Sequence, residues 1–141
     1  MTRAVADTGP LVAYLDRAEQ NHAWAVEQVG KLDAPLLVCE PVLAEAMFLL
    51  GGLSRAEDAL WELLDNGALR IALRIEEHVS ELRTLHAKYR DRPMSLADAC
   101  IVRMAELYEG HAIFTLDADF SIYRKNRREA LTLICPPRPR P

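Results

Sequence analysis

The stretch RAVADTGP, residues 3–10, runs a short apolar strand into a single carboxylate and then into a Gly-Pro turn. Asp7 is the only charged residue between Arg3 and Asp16. The stretch HAIFTLDAD (111–119) has the same plan, with Asp117 and Asp119 the only charges between Glu109 and Arg124. Two more acids stand alone in apolar surroundings: Glu45 in PVLAEAMFLLGGLS (41–54) and Asp98 in PMSLADACIV (93–102). An ionised carboxylate in such surroundings is costly unless it is paired, hydrogen-bonded or bound to a metal. Acids isolated in this way point to a shared acidic site.

Outward from these stretches, short apolar runs alternate with helical patterns. Strands are expected over 3–7, 35–39, 68–73, 111–115 and 130–134. Helices are expected over 10–16, 21–32, 41–50, 54–65, 75–90 and 95–109, with a helical turn over 118–122. Gly51-Gly52, Asn66-Gly67 and Gly110 punctuate the helices. The alternation predicts an α/β fold with a central parallel sheet of about five short strands and helices on both faces. One domain takes residues 1–135, and PPRPRP (136–141) reads as an extended Pro/Arg tail.

The 141 residues suffice for one domain with a real core, and at 50% hydrophobic and 27% charged the composition is globular. No apolar run reaches the length of a membrane span. MTRAVAD leads directly into a strand and reads as carrying no secretory leader. Cys39, Cys100 and Cys135 are odd in number, lie in or beside apolar segments and lack CxxC spacing. They read as small buried residues of a reducing, cytoplasmic compartment, not as a disulfide or zinc framework. A net charge of −4 disfavours nucleic acid as a partner when taken alone. Neutralising the isolated acids with a cation would bring the rest of the chain close to balance. Two basic clusters stand out: Arg83, Lys88, Arg90 and Arg92, and Arg124, Lys125, Arg127 and Arg128.

In an open parallel sheet, ligands bind outside the carboxyl ends of the strands. Asp7 ends the first strand, and Asp117 lies two residues past the strand 111–115. Glu45 lies in the early turns of the helix after 35–39, and Asp98 in the first turn of the helix feeding 111–115. A crossover helix runs antiparallel to its strands, so its N-terminus returns to that same edge. The acids are therefore expected on one rim. Each also has a plainer reading. Asp7 can N-cap the helix near Pro10, and Ser95-x-x-Asp98 matches a capping box. Asp117 and Asp119 suit a turn, and Glu45 can reach out to water.

Clustered carboxylates repel one another, and a hard divalent cation removes the conflict. Oxygen-only ligands suit Mg²⁺ or Mn²⁺, which can polarise a phosphodiester and activate water.

These residues resemble the PIN-domain ribonucleases, and most closely the VapC-type toxins of bacterial toxin–antitoxin pairs. VADTGPLVAYLD, VLAEAMFLL, MSLADACIVRMAE and FTLDADF resemble that family's acidic motifs, in order, over nearly the whole chain. The resemblance implies endonucleolytic cleavage of RNA, with Asp7, Glu45, Asp98 and Asp117 holding Mg²⁺ or Mn²⁺. It gives Asp119, Thr8, Thr115 and Ser95 accessory places, and implies a homodimer and a cognate antitoxin. Many relatives carry Asp where this chain has Ser95, so its site has one charge fewer. Arg124, Lys125, Arg127 and Arg128 are expected to contact RNA phosphates, because they follow Asp119 closely; solvated helix faces are the plainer reading of both basic clusters.

Other chemistries fit less well. Asp7-Thr8-Gly9 is the aspartic-protease triplet, but that fold is all-β and needs two copies. A receiver domain needs adjacent early acids and a Lys after a later strand. A HAD-type phosphatase needs Asp at position 9, which is Gly. The alternative of another class is a catalytically weak module that binds RNA or protein, its acids serving only as caps.

Overall fold

The computed structural model describes residues 1–137, so most of the tail expected over 136–141 lies outside the described residues. In chain order the elements are β1 (Arg3–Ala6), α1 (Thr8–Leu15), α2 (His22–Val29), β2 (Leu36–Val38), α3 (Glu40–Leu49), α4 (Ser54–Asp65) and β3 (Leu69–Ile71). A 3₁₀ turn (Ile75–His78), α5 (Val79–Lys88), α6 (Leu96–Leu107) and β4 (His111–Phe114) follow. A second 3₁₀ turn (Ala118–Ser121) then leads to β5 (Arg124–Lys125), β6 (Glu129–Ala130) and β7 (Leu133–Ile134).

Five strands form one parallel sheet in the order β3-β2-β1-β4-β7. The strands read as unbroken apolar runs because helices flank the sheet, the pattern of a parallel sheet. Ala4, Val5, Ala6, Val38, Ile113 and Phe114 form its buried centre. The apolar face of α6, with Cys100, Ile101 and Met104, is buried and packs over β1 and β4, while α3 packs against α6. Trp24 of α2 rests on Phe114 at 5.5 Å between ring centroids.

The topology fixes where a site can form. From β1 the chain winds outward through β2 to β3, then returns to the other side of β1 with β4. That reversal opens a crevice at the carboxyl ends of β1 and β4, where helices leave in opposite directions. The register sets Ala6 beside Phe114, so Asp7 and Thr115 emerge as neighbours at its mouth. The Asp7 N–H donates to the Phe114 carbonyl at 2.9 Å, carrying the ladder one residue further.

Three local differences from the sequence expectation have physical causes. The helix expected over 75–90 begins as the 3₁₀ turn, and α5 proper starts at Val79. The strand expected over 130–134 splits: only Leu133 and Ile134 join the sheet, while Ala130 pairs with Arg124 in an antiparallel hairpin. The second basic cluster is therefore this hairpin and not a helix face. Asn126 and Arg127 turn it with positive φ values of 48° and 73°, a backbone region more open to Asn than to most side chains.

Among the described residues, no helix is long and apolar enough to cross a membrane.

Candidate active site

Asp7 is the N-cap of α1: its Oδ1 accepts the Thr8 N–H at 2.8 Å. Its Oδ2 accepts the Thr115 hydroxyl at 2.7 Å. The Thr115 oxygen in turn accepts the Asp117 N–H at 2.8 Å, and Asp117 Oδ1 accepts the Asp119 N–H at 2.8 Å as N-cap of its 3₁₀ turn. On the other side, the Thr8 hydroxyl donates to Glu45 Oε2 at 3.0 Å. One hydrogen-bonded chain thus runs from Glu45 through Thr8, Asp7 and Thr115 to Asp117 and Asp119.

Asp98 arrives from α6. Ser95 caps that helix, its Oγ accepting the Asp98 N–H at 3.0 Å while Asp98 Oδ2 accepts the Ser95 N–H at 3.0 Å. This is a reciprocal capping box. The capping roles read from the sequence are therefore real for Asp7, Asp98 and Asp117. They do not compete with a shared site. Each cap holds a carboxylate at the start of a helix, and the parallel topology returns those starts to one edge.

Burial and neighbouring charge shift two of the acids. Asp7 is buried and its carboxyl is pushed up to about 6, first by loss of hydration and then by the charges of Asp98 and Asp117; the bonds from Thr115 and Thr8 oppose the shift. The half-buried Asp98 carboxyl is also raised, first by burial and then by the charges of Asp117 and Glu45, against the Ser95 bonds. Among the described residues the ion pairs are Lys31–Glu27, Arg74–Glu77 and Arg103–Glu106, and none involves these acids. The negative charge at the crevice has no cationic side chain paired to it.

The donor set suits a hard divalent cation, since every candidate ligand is oxygen and the net charge is uncompensated. Among the described residues no three acids, thiols or imidazoles are closed around one point. Thr8 sits between Asp7 and Glu45, and the Thr115 hydroxyl between Asp7 and the Asp117 backbone.

Gly9 follows in α1, where a Cβ would lie 3.2 Å from Leu116, the residue between Thr115 and Asp117. The absent side chain lets α1 and the loop after β4 approach closely.

The basic run is divided. Arg124 Nη1 donates to the carbonyls of Ser121, Ile122 and Tyr123 at 2.8, 3.1 and 3.0 Å, closing the turn that carries Asp119. Lys125 is half-buried in β5, and Arg127 and Arg128 are exposed at the hairpin tip. One residue escaped the sequence reading. Tyr123 is buried, and its phenol is pushed up to about 12 by burial and by the charges of Asp98, Asp119 and Asp117. Arg92, of the first basic cluster, acts on the same phenol with opposite sign.

Comparison with known proteins agrees with the fold. Residues 4–126 match the model of the PIN domain. The chain belongs to the PIN-domain family. The chain is also 33% identical over 116 residues to Ribonuclease VapC26 of Mycobacterium tuberculosis, covering 80% of this chain and 85% of that protein. The matched span includes β1, with Asp7 at its end, and reaches the turn of the β5–β6 hairpin. All the acids at the crevice lie inside the PIN domain.

Proposed function

We propose that the protein is a divalent-metal-dependent endoribonuclease, the toxin of a toxin–antitoxin pair, hydrolysing RNA phosphodiesters at the β1–β4 crevice. The observation that carries this is the hydrogen-bonded chain joining Glu45, Thr8, Asp7, Thr115 and Asp117 at the switch point of a PIN fold, with Asp98 held by its cap at the start of α6 and no ion pair to these acids among the described residues. The likeness to a ribonuclease supports RNA as the substrate.

In this reading Asp7, Glu45, Asp98 and Asp117 hold Mg²⁺ or Mn²⁺. Such an ion, when bound, neutralises phosphate charge and makes water a better nucleophile. The chain supplies the rest. Thr115 fixes the orientation of Asp7 and of the Asp117 backbone, and Thr8 does the same for Glu45. The N-terminal end of α6, held by Ser95, sets Asp98. Arg92, Arg127 and Arg128 offer charge for the RNA backbone, while Arg124 and Lys125 hold the hairpin beside the site. Phe48 is 83% exposed and, with Leu49, Leu53 and Trp61, leaves apolar surface along α3 and α4. Surface of that kind is normally covered by a protein partner, and we assign it to the antitoxin. A homodimer belongs to the same proposal.

The capping bonds of Asp7, Asp98 and Asp117 favour a second reading, a binding module whose acids serve only as caps. Incubating fluorescent single-stranded RNA with wild type, Asp7→Asn and Asp98→Asn, in Mg²⁺ or Mn²⁺ and in EDTA, separates the two. The nuclease reading expects cleavage by wild type only, and only with the metal. Cleavage that persists in both variants, or its absence from metal-loaded wild type, would sink it.

A further inference from the structure

Tyr123 lies four residues after Asp119, and its N–H approaches the Asp119 carbonyl at 3.4 Å. Its ring is locked between two aromatic edges, Tyr89 at 4.9 Å and Phe120 at 5.4 Å between centroids. The whole residue is only 1% exposed. Tyr89 resembles it in burial but differs in chemistry, because its hydroxyl accepts the Arg124 N–H at 2.9 Å.

The Tyr123 hydroxyl has no hydrogen-bond partner among the described residues. A phenol sealed from both protein and water would be costly, yet no side-chain oxygen among the described residues is both sealed and unpartnered. The small exposed part of Tyr123 therefore includes its oxygen. Asp98, Asp119, Asp117 and Arg92 all act on it, so the hydroxyl lies within electrostatic reach of the site acids. It is thus a neutral donor beside a cluster of acids. The hydroxyls of Thr8 and Thr115 are already engaged with Glu45 and Asp7. A phenol O–H donates well to an anionic phosphate oxygen and adds no charge of its own. The packed ring fixes its direction before the substrate arrives.

We infer that the Tyr123 hydroxyl is a substrate-binding group of this site, donating to a non-bridging oxygen of the RNA phosphate on the side lined by Asp98 and Asp119. Arg92 supplies the neighbouring positive charge. The inference rests on the ribonuclease reading and extends it to how the phosphate is held.

Tyr123→Phe keeps both ring contacts and removes only the oxygen. Binding of a mixed-sequence single-stranded RNA in Ca²⁺ buffer is measured for wild type, Tyr123→Phe and Tyr89→Phe, and each protein is melted with and without Mn²⁺. The expected result is about tenfold weaker RNA binding by Tyr123→Phe, the loss of one hydrogen bond to a charged group. Its melting and its Mn²⁺ response should follow wild type. Tyr89→Phe, which loses only an internal bond, should bind RNA as wild type does. In Mg²⁺ the Tyr123→Phe loss should fall on KM more than on kcat. Equal RNA binding by wild type and Tyr123→Phe, or no binding by either, overturns the inference whatever the cleavage assay shows. If wild type binds RNA tenfold better yet cleaves none, the inference stands and the nuclease reading fails.

Discussion

The hydroxyl of Thr115 donates to Oδ2 of Asp7 at 2.7 Å, joining the loop after β4 to the acid at the end of β1. The same oxygen accepts the Asp117 N–H, so one buried side chain sets two of the site acids. Thr115→Val keeps the shape and removes both bonds. It should destabilise the fold by about 1–3 kcal/mol, the usual cost of leaving buried polar groups unpaired. Because the Thr115 bond lowers the Asp7 pKa, its loss raises that pKa above about 6. The acid limb of the pH–activity profile should move to higher pH. An unmoved limb together with unchanged melting would show that the bond orders nothing.

Asp7 gives a stability prediction of unusual sign. Its carboxyl rises from 3.8 to about 6 on folding, so between those values the folded state holds a proton that the unfolded state has lost. Stability from this group is full below its unfolded pKa and is lost as pH rises through about 6. The difference amounts to about 3 kcal/mol. Metal-free Asp7→Asn should therefore melt above wild type at pH 7.5, by up to about 3 kcal/mol, and match it near pH 4. Mn²⁺ should close the gap by stabilising wild type alone. A lower melting temperature for Asp7→Asn at pH 7.5 would mean that its capping and Thr115 bonds outweigh its buried charge.

Isolation was what made the acids legible. Asp7, Glu45, Asp98 and Asp117 each interrupt an apolar run, and Gly and Pro mark the ends of the runs. Capping and clustering looked like rival explanations from sequence. They are one arrangement, because helix starts and strand ends share an edge in a parallel sheet. The hairpin over 124–130 was not legible: RKNRREA has no apolar alternation, and its turn uses Asn126 and Arg127 at positive φ in place of glycine. Tyr123 stayed hidden because its role depends on Tyr89 and Phe120, and no periodicity announces a packed ring with a bare hydroxyl.

Ser95 caps α6. Ser95→Ala should cost about 1 kcal/mol, typical of a lost N-cap. It should also raise the Asp98 pKa further, since the Ser95 side chain lowers it. Ser95→Asp keeps a capping residue and adds a carboxylate, so it should bind Mn²⁺ more tightly while losing stability in EDTA. Titrating Mn²⁺ into each protein by calorimetry checks both; equal affinity in Ser95→Asp and wild type would place position 95 outside the cation's reach.

Gly9→Ala sets a helix gain against a steric cost. Alanine favours the helix by about 1 kcal/mol, while its Cβ presses on Leu116 at 3.2 Å, an overpacking worth about 1–3 kcal/mol. Melting should stay near wild type, yet RNA cleavage should fall, because Leu116 lies between Thr115 and Asp117. Full cleavage in a stable Gly9→Ala would show that the loop after β4 shifts without disturbing the acids.

The central claim is that the acids at the β1–β4 crevice form one cation site. Crystals soaked in Mn²⁺ and measured at the manganese absorption edge test it most directly. The account predicts an anomalous peak among the carboxylates of Asp7, Glu45, Asp98 and Asp117, absent from Asp7→Asn crystals treated in the same way. Wild-type crystals with no peak there, or Asp7→Asn crystals with an equal one, would contradict it.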